Sequence, residues 1–233
     1  MFPQIRGKVT RQAHVGIPEG TYEEEHARRG FSGRASHLYH LHPPTAWVRV
    51  EGPLRPRLFL GDRVIPPDLV DPRGPPAPLL ENDAAVVAIS RRSQPMPFYV
   101  RNADGDEVHF VHRGRGRVET DYGPLAYEPG DYLWLPKGTT YRVLPESTEQ
   151  FILITETREF VLPEPGLMGQ HAFIDPAMFV TPDPEPHAEA GQEWELRVKR
   201  DRQWTAFFYR HHPLDVVGWK GELAPVKFNA RDF

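Results

Sequence analysis

The sequence predicts an all-β fold of the barrel or jelly-roll type, with flanking N-terminal strands, one short N-terminal helix and proline-rich loops. Three observations carry this. The 233 residues include 26 prolines and 19 glycines, and proline, which lacks an N–H and fixes φ, leaves little room for long helices. From residue 84 onward short apolar runs recur, as in AAVVAI at 84–89, EVHFVH at 107–112 and QFILITE at 150–156. Turn pairs punctuate them: Asp104-Gly105, Arg113-Gly114, Tyr122-Gly123, Pro129-Gly130 and Lys137-Gly138. Strands broken at such short intervals belong to sandwiches and barrels.

The elements follow in order. Thr21-Tyr22-Glu23-Glu24 reads as a capping box, in which Thr21 caps and Glu24 reaches back. Acidic residues then favour a helix start, Arg28 and Arg29 its end, and Gly30 a left-handed stop, so a short helix is expected over 22–29. His37-Leu-Tyr-His40-Leu-His42-Pro-Pro is extended because residues before proline avoid the helical region. Short strands are expected at 46–50 and 57–60, and a proline-dense surface loop over 66–80. Further strands are expected at 84–89, 97–101, 107–112, 115–120, 131–135, 140–143 and 150–156. A second proline-rich tract covers 175–186, followed by strands at 193–199, 203–210 and 215–219. The domain reading is an N-terminal arm over 1–80, a barrel over 81–165, and additional strands over 166–233.

Composition excludes several functions. There is no cysteine, which removes disulfides, thiolate chemistry, zinc ribbons and iron–sulfur clusters and fits a reducing cytoplasm. The formal charge is −4, from 28 basic and 32 acidic residues, and no basic domain stands out, so no nucleic-acid partner is expected. No run approaches the roughly 18 apolar residues of a membrane span. MFPQIRGKVTRQAHVG lacks the apolar centre of a secretory signal. A cytoplasmic location without a membrane partner is the expectation.

Residues 101–143 carry the motifs. Gly130, Pro136, Gly138 and Tyr141 form G-x5-P-x-G-x2-Tyr, which resembles the second cupin motif except that His normally closes it. Arg101-x-Ala103-x3-Glu107 resembles the first cupin motif, H-x-H-x3-E. Residues two apart on a strand face the same side, so two imidazoles, a carboxylate and a facing His can surround one divalent ion. Here Arg101, Ala103 and Tyr141 stand at the His places and Glu107 alone is kept. Arginine stays protonated and cannot ligate a cation. The four positions Arg101, Ala103, Glu107 and Tyr141 therefore read as vacant ligand places in a metal-free barrel. The plain alternative for Arg101 and Glu107 is an ordinary ion pair.

Other candidates are weaker. His37, His40 and His42 form a weak metal or interface candidate. His40 and His42 would share one strand face and His37 the other, with no acidic residue nearby before Glu51 to complete a site. His109 and His112 lie on opposite faces of one strand, and His211-His212 precedes Pro213, so both pairs read as structural. Asp104-Gly105-Asp106-Glu107 is a hairpin turn without the spaced oxygens of a calcium loop. No phosphate loop and no nucleophile elbow occurs. No catalytic residue, metal ligand or substrate-binding residue is assigned from the sequence.

A wider resemblance rests on stretches in order along the chain: His37-Leu-Tyr-His-Leu-His-Pro-Pro-Thr-Ala-Trp47, Arg101-Asn-Ala-Asp-Gly-Asp106, Tyr122-Gly-Pro-Leu125, Gly130 to Gly138, Val216 to Gly221 and Ala224 to Asn229. These resemble the N-terminal part of the homogentisate 1,2-dioxygenase family. The resemblance implies a two-barrel cupin protein and a homo-oligomer, trimer or hexamer. It implies an Fe(II) enzyme that opens the ring of homogentisate with O₂ to give maleylacetoacetate, in tyrosine and phenylalanine breakdown. It further implies that two His and one carboxylate hold the iron in a C-terminal barrel outside this chain. No ligand is carried onto a residue here, and no iron is expected on this chain itself. The chain is expected to be inactive alone. The alternative is a metal-free cupin binding or oligomerisation module without catalysis.

Overall fold

The computed structural model describes residues 4–29, 32–53, 55–159 and 176–232. The chain divides into two compact units, Met1–Leu58 and Phe59–Phe233.

In the first unit, strands β1 (Tyr22–Arg29) and β2 (Ser32–His40) form an antiparallel two-stranded sheet. Residues 22–29 are thus a strand and not the expected helix. The Thr21 hydroxyl donates to the Pro18 carbonyl at 2.6 Å and so does not cap. Glu24 lies 2.7 Å from His40 across the hairpin and so does not reach back. An eight-residue helix is marginal in water by itself, whereas β2 supplies a full ladder of partners. Gly30, the expected helix stop, lies outside the described residues. No regular strand forms at 46–50.

The second unit begins with a short helix α1 (Pro67–Val70), β3 (Ala77–Glu81), β4 (Ala85–Ser90), β5 (Tyr99–Asn102) and β6 (Asp106–Arg113). It continues with β7 (Gly116–Thr120), β8 (Gly123–Tyr127), β9 (Asp131–Leu135), β10 (Thr140–Pro145) and β11 (Phe151–Thr157), then β12 (Ala190–Arg200), β13 (Gln203–His211) and β14 (Val226–Asn229). The expected strands at 57–60 and 215–219 are irregular backbone.

Eight successive strands form nested antiparallel pairs: β7 with β8, β6 with β9, β5 with β10, and β4 with β11. A long hairpin wound on itself in this way is a jelly roll. It yields two six-stranded sheets, ordered β13-β12-β5-β10-β7-β8 and β14-β9-β6-β11-β4-β3. Strand alternation turns one face of each inward. On β9, Asp131, Leu133 and Leu135 are buried while Tyr132 and Trp134 between them are less so. Val100, Val118, Leu125 and Val143 of one sheet meet Val111, Leu133, Leu135 and Ile152 of the other in a single core.

The 66–80 segment lies largely at the surface, as expected, but it contains α1 and most of β3 and is anchored at a few buried points. Asp68, 2% exposed, accepts from the Ser90 hydroxyl at 2.6 Å and the Arg91 N–H at 3.1 Å. The buried Arg92 guanidinium donates to the carbonyls of Pro72 and Gly74. These carbonyls lack sheet partners, and Arg92 supplies the donors that burial requires. Gly105 makes the expected β5–β6 turn, and a methyl group there would collide with the Thr157 backbone.

Candidate functional site

The space between the sheets opens into a cavity of about 570 Å³. Its walls are apolar, with Val86, Ala88, Phe98, Val143 and Ile154 among them. Near one side the Arg197 guanidinium lies 3.6 Å from the centre of the Phe98 ring. Lys199 and Glu156, both lining the cavity, form an ion pair at 2.5 Å. Its polar residues include Glu107 and His109 of β6 and Tyr141 of β10.

Glu107 sits at the centre of this polar group. Its Oε2 accepts from the Tyr141 hydroxyl at 2.6 Å and lies 2.9 Å from His109 Nε2. Its Oε1 accepts from the Asn102 amide at 2.8 Å. All four residues are at most 8% exposed. Burial pushes the Glu107 carboxyl up, but the His109, Tyr141 and Asn102 contacts outweigh it and hold it down at about 2. Tyr141 is driven well above its ordinary value by burial and by the Glu107 charge. At neutral pH the arrangement is therefore a buried carboxylate with a phenol, an imidazole N–H and an amide aimed at it.

The structure brings Glu107 and Tyr141 together, as their motif spacing expects. It does not bring Arg101 or Ala103 to them. Side chains alternate along β5, so Val100 and Asn102 face the core while Arg101 points the other way. Arg101 donates through Nε and Nη2 to the Thr140 hydroxyl, at 2.8 and 2.5 Å. The ion pair considered between Arg101 and Glu107 is absent for the same reason. Ala103 lies past the end of β5, and its N–H donates to the Lys199 carbonyl at 2.9 Å. The inward positions opposite Glu107 and Tyr141 are thus Val100 and Asn102. Sequence reading missed Asn102 and His109. The signal for His109 was its two-residue offset from Glu107, which puts both on one strand face.

Iron(II), implied by the resemblance, does not fit this interior. Val100 offers no donor atom. Asn102, His109 and Tyr141 direct their hydrogens at Glu107, which fills three of the roughly four acceptor sites of a carboxylate. A facial triad needs two imidazoles and a free carboxylate around open positions.

The other predicted histidines are also placed. His37 does not join His40 and His42. It stacks on His14, with ring centres 5.0 Å apart, while His40 faces Glu24 and His42 lies beyond the end of β2. His112 packs against Phe151. His212 is buried, with Nδ1 accepting from the Leu214 N–H at 3.1 Å and Nε2 lying 2.9 Å from the Tyr99 hydroxyl.

The family profile for the homogentisate 1,2-dioxygenase N-terminal region matches residues 81–230. The chain belongs to this family. A Rhodopseudomonas palustris homogentisate 1,2-dioxygenase is 31% identical over 156 residues, covering 64% of this chain and 33% of that protein. A protein of Saccharolobus solfataricus, provisionally named a dioxygenase, is 27% identical over 252 residues, covering 100% of this chain and 65% of its own length. The chain thus spans about a third of the one relative and less than two thirds of the other. A solved cupin-2 domain protein from Shewanella frigidimarina overlaps 36% of this chain and 80% of its own, with 21% identity and a TM-score of 0.32. The strand nesting itself makes the fold a jelly roll. No described helix is long and apolar enough to cross a membrane.

Proposed function

We propose that the full-length protein is a homogentisate-type, ring-cleaving non-haem iron dioxygenase, and that residues 1–233 are its scaffold rather than its iron site. The reaction is that of homogentisate with O₂ to give maleylacetoacetate. The observation that carries the scaffold reading is the interior of the jelly roll, where Glu107 is already occupied by Tyr141, His109 and Asn102. The iron ligands then belong to residues of the full-length protein outside 1–233. The protein acts as a cytoplasmic homo-oligomer, a trimer or hexamer. The exposed Leu41, Trp47 and Val48 support a role for the N-terminal unit in subunit contacts.

The test is made on full-length protein loaded with Fe(II). We expect stoichiometric iron, O₂ uptake with homogentisate and a ring-opened product. Tyr141→Phe should leave turnover per bound iron unchanged. Iron-dependent turnover by residues 1–233 alone would overturn the scaffold reading, and O₂ uptake without ring-opened product would overturn the substrate. The alternative, a metal-free binding module without catalysis, has one observation in its favour, the apolar cavity of about 570 Å³. It predicts no iron on the full-length protein.

A further inference from the structure

The N-terminal hairpin assembles a group of residues that the proposed function does not use. We infer that His14, Glu23 and His37 form a binding site for a first-row divalent transition metal, with zinc as its natural probe.

The register builds most of it. Glu23 pairs with Tyr39 and Glu25 with His37, so Glu23 and His37 lie diagonally on one face of the β1–β2 ribbon. Diagonal neighbours in such a pair stand roughly 7–8 Å apart, within reach of long and aromatic side chains, so the two side chains can converge. His14 comes from the preceding segment, where Gln12 and Val15 close a tight turn through a backbone hydrogen bond of 3.1 Å. His14 itself has φ of 66°, a left-handed conformation uncommon outside glycine. That turn brings its ring back over His37, stacked at 5.0 Å, while its Nδ1 meets Glu23 Oε1. One donor atom from each of the three residues lies within 4.8 Å of the others.

A second observation points to a ligand. The Glu23 side chain is 8% exposed, and its Oε2 makes no hydrogen bond of good geometry, with the Tyr39 hydroxyl as the other polar group that approaches the carboxylate. A buried carboxylate oxygen left unpaired is costly, and a cation is what satisfies it. The opposite edge is open, because His14 is 63% exposed. Two imidazoles and one carboxylate with a solvent-facing fourth position make an N₂O set suited to zinc, cobalt or nickel. Tyr39, the cross-strand partner of Glu23, is held by a 2.7 Å hydrogen bond to Thr10 and stands beside the carboxylate.

The other histidine–carboxylate group among the described residues, His187, Glu189 and His212, differs in the decisive respect. Both ring nitrogens of His212 are engaged, with Leu214 and Tyr99, so it has no lone pair to give.

The experiment titrates the chelator-treated 233-residue chain with Zn²⁺ by calorimetry and with Co²⁺ by visible absorption. One ion per chain is expected, with a Co²⁺ spectrum of four- or five-coordinate type. His14→Ala, His37→Ala and Glu23→Gln should each weaken Zn²⁺ binding at least tenfold. His26→Ala, on the other hairpin face, and His187→Ala should not. His14 is exposed, so His14→Ala keeps the test valid if another variant fails to fold, as circular dichroism will show. Absence of stoichiometric binding, or binding undiminished in His14→Ala, overturns the inference. So does loss of binding in His187→Ala.

Discussion

Two glutamates, Glu107 buried in one unit and Glu23 half-buried in the other, make opposite use of the same side chain. Glu107 lies between the jelly-roll sheets and is met by a phenol, an imidazole and an amide. Glu23 lies on a two-stranded ribbon, where the His14 imidazole meets Oε1, the Tyr39 hydroxyl approaches the carboxylate, and no hydrogen bond of good geometry reaches Oε2. The contrast teaches that a buried carboxylate becomes structural or ligand-seeking according to how many of its acceptor sites its neighbours fill. Nothing in the identity of the residue decides this. The elements around it do: three strands converge on Glu107, and two strands and a turn on Glu23.

The largest effect should come from Glu107→Ala, which leaves three donors facing a buried void. We expect a loss of about 3–5 kcal/mol, the cost of breaking a buried polar group by removing one partner, read as a drop in the urea midpoint. A shift under about 1 kcal/mol would mean that Glu107 is no more constrained than a surface charge. Acid sharpens the same point. The folded-state carboxyl is held at about 2, below its ordinary value of 4.5. Its stabilisation is therefore complete above pH 4.5 and is lost as pH falls from there towards 2, by about 3 kcal/mol in total. Glu107→Gln should flatten that arm of the stability–pH curve. If the arm persists in Glu107→Gln, other carboxyls dominate it.

Tyr141→Phe should cost less, about 1.5–3 kcal/mol for one hydrogen bond to a charged acceptor. It should also raise the Glu107 carboxyl, moving the acid transition to higher pH. Glu23→Gln should be the mildest, with a smaller midpoint shift than Glu107→Gln in the same urea series. The reverse order would break the comparison.

Much of the fold was legible because turns announce themselves. Glycine pairs between apolar runs located β4 to β7 and β9 to β11 closely. The strand β8 was hidden because Pro124 sits inside it. Proline is tolerated there since β8 is the edge of its sheet and needs no N–H on its open side. The hairpin of β1 and β2 was hidden differently. Its sequence, YEEEHARR, carries the acidic start and basic end of a helix and no apolar alternation, so only the partner strand reveals its state. This error also concealed the hairpin site, because a helix at 22–29 removes Glu23 from His37.

The interior site was half legible. Motif spacing found Glu107 and Tyr141, but it placed the first pair on Arg101 and Ala103 rather than Val100 and Asn102. A slip of one residue on a strand exchanges the two faces. Spacing measured across the Asp104-Gly105 turn cannot fix that parity, whereas the paired backbone does.

The nesting of the strands also sets an order of events while the chain is being made. Ala85 pairs with Thr157 and Ser90 with Ile152, so β4 leaves the ribosome long before the strand that covers one of its edges. At roughly 5–20 residues per second, that edge waits several seconds, with β3 as its early companion. Tyr99 waits longer still for Leu196, its parallel neighbour on β12. The innermost hairpin, β7 with β8, is complete at once. The jelly roll can thus close only from its middle outwards, and its terminal strands are the last to find their partners.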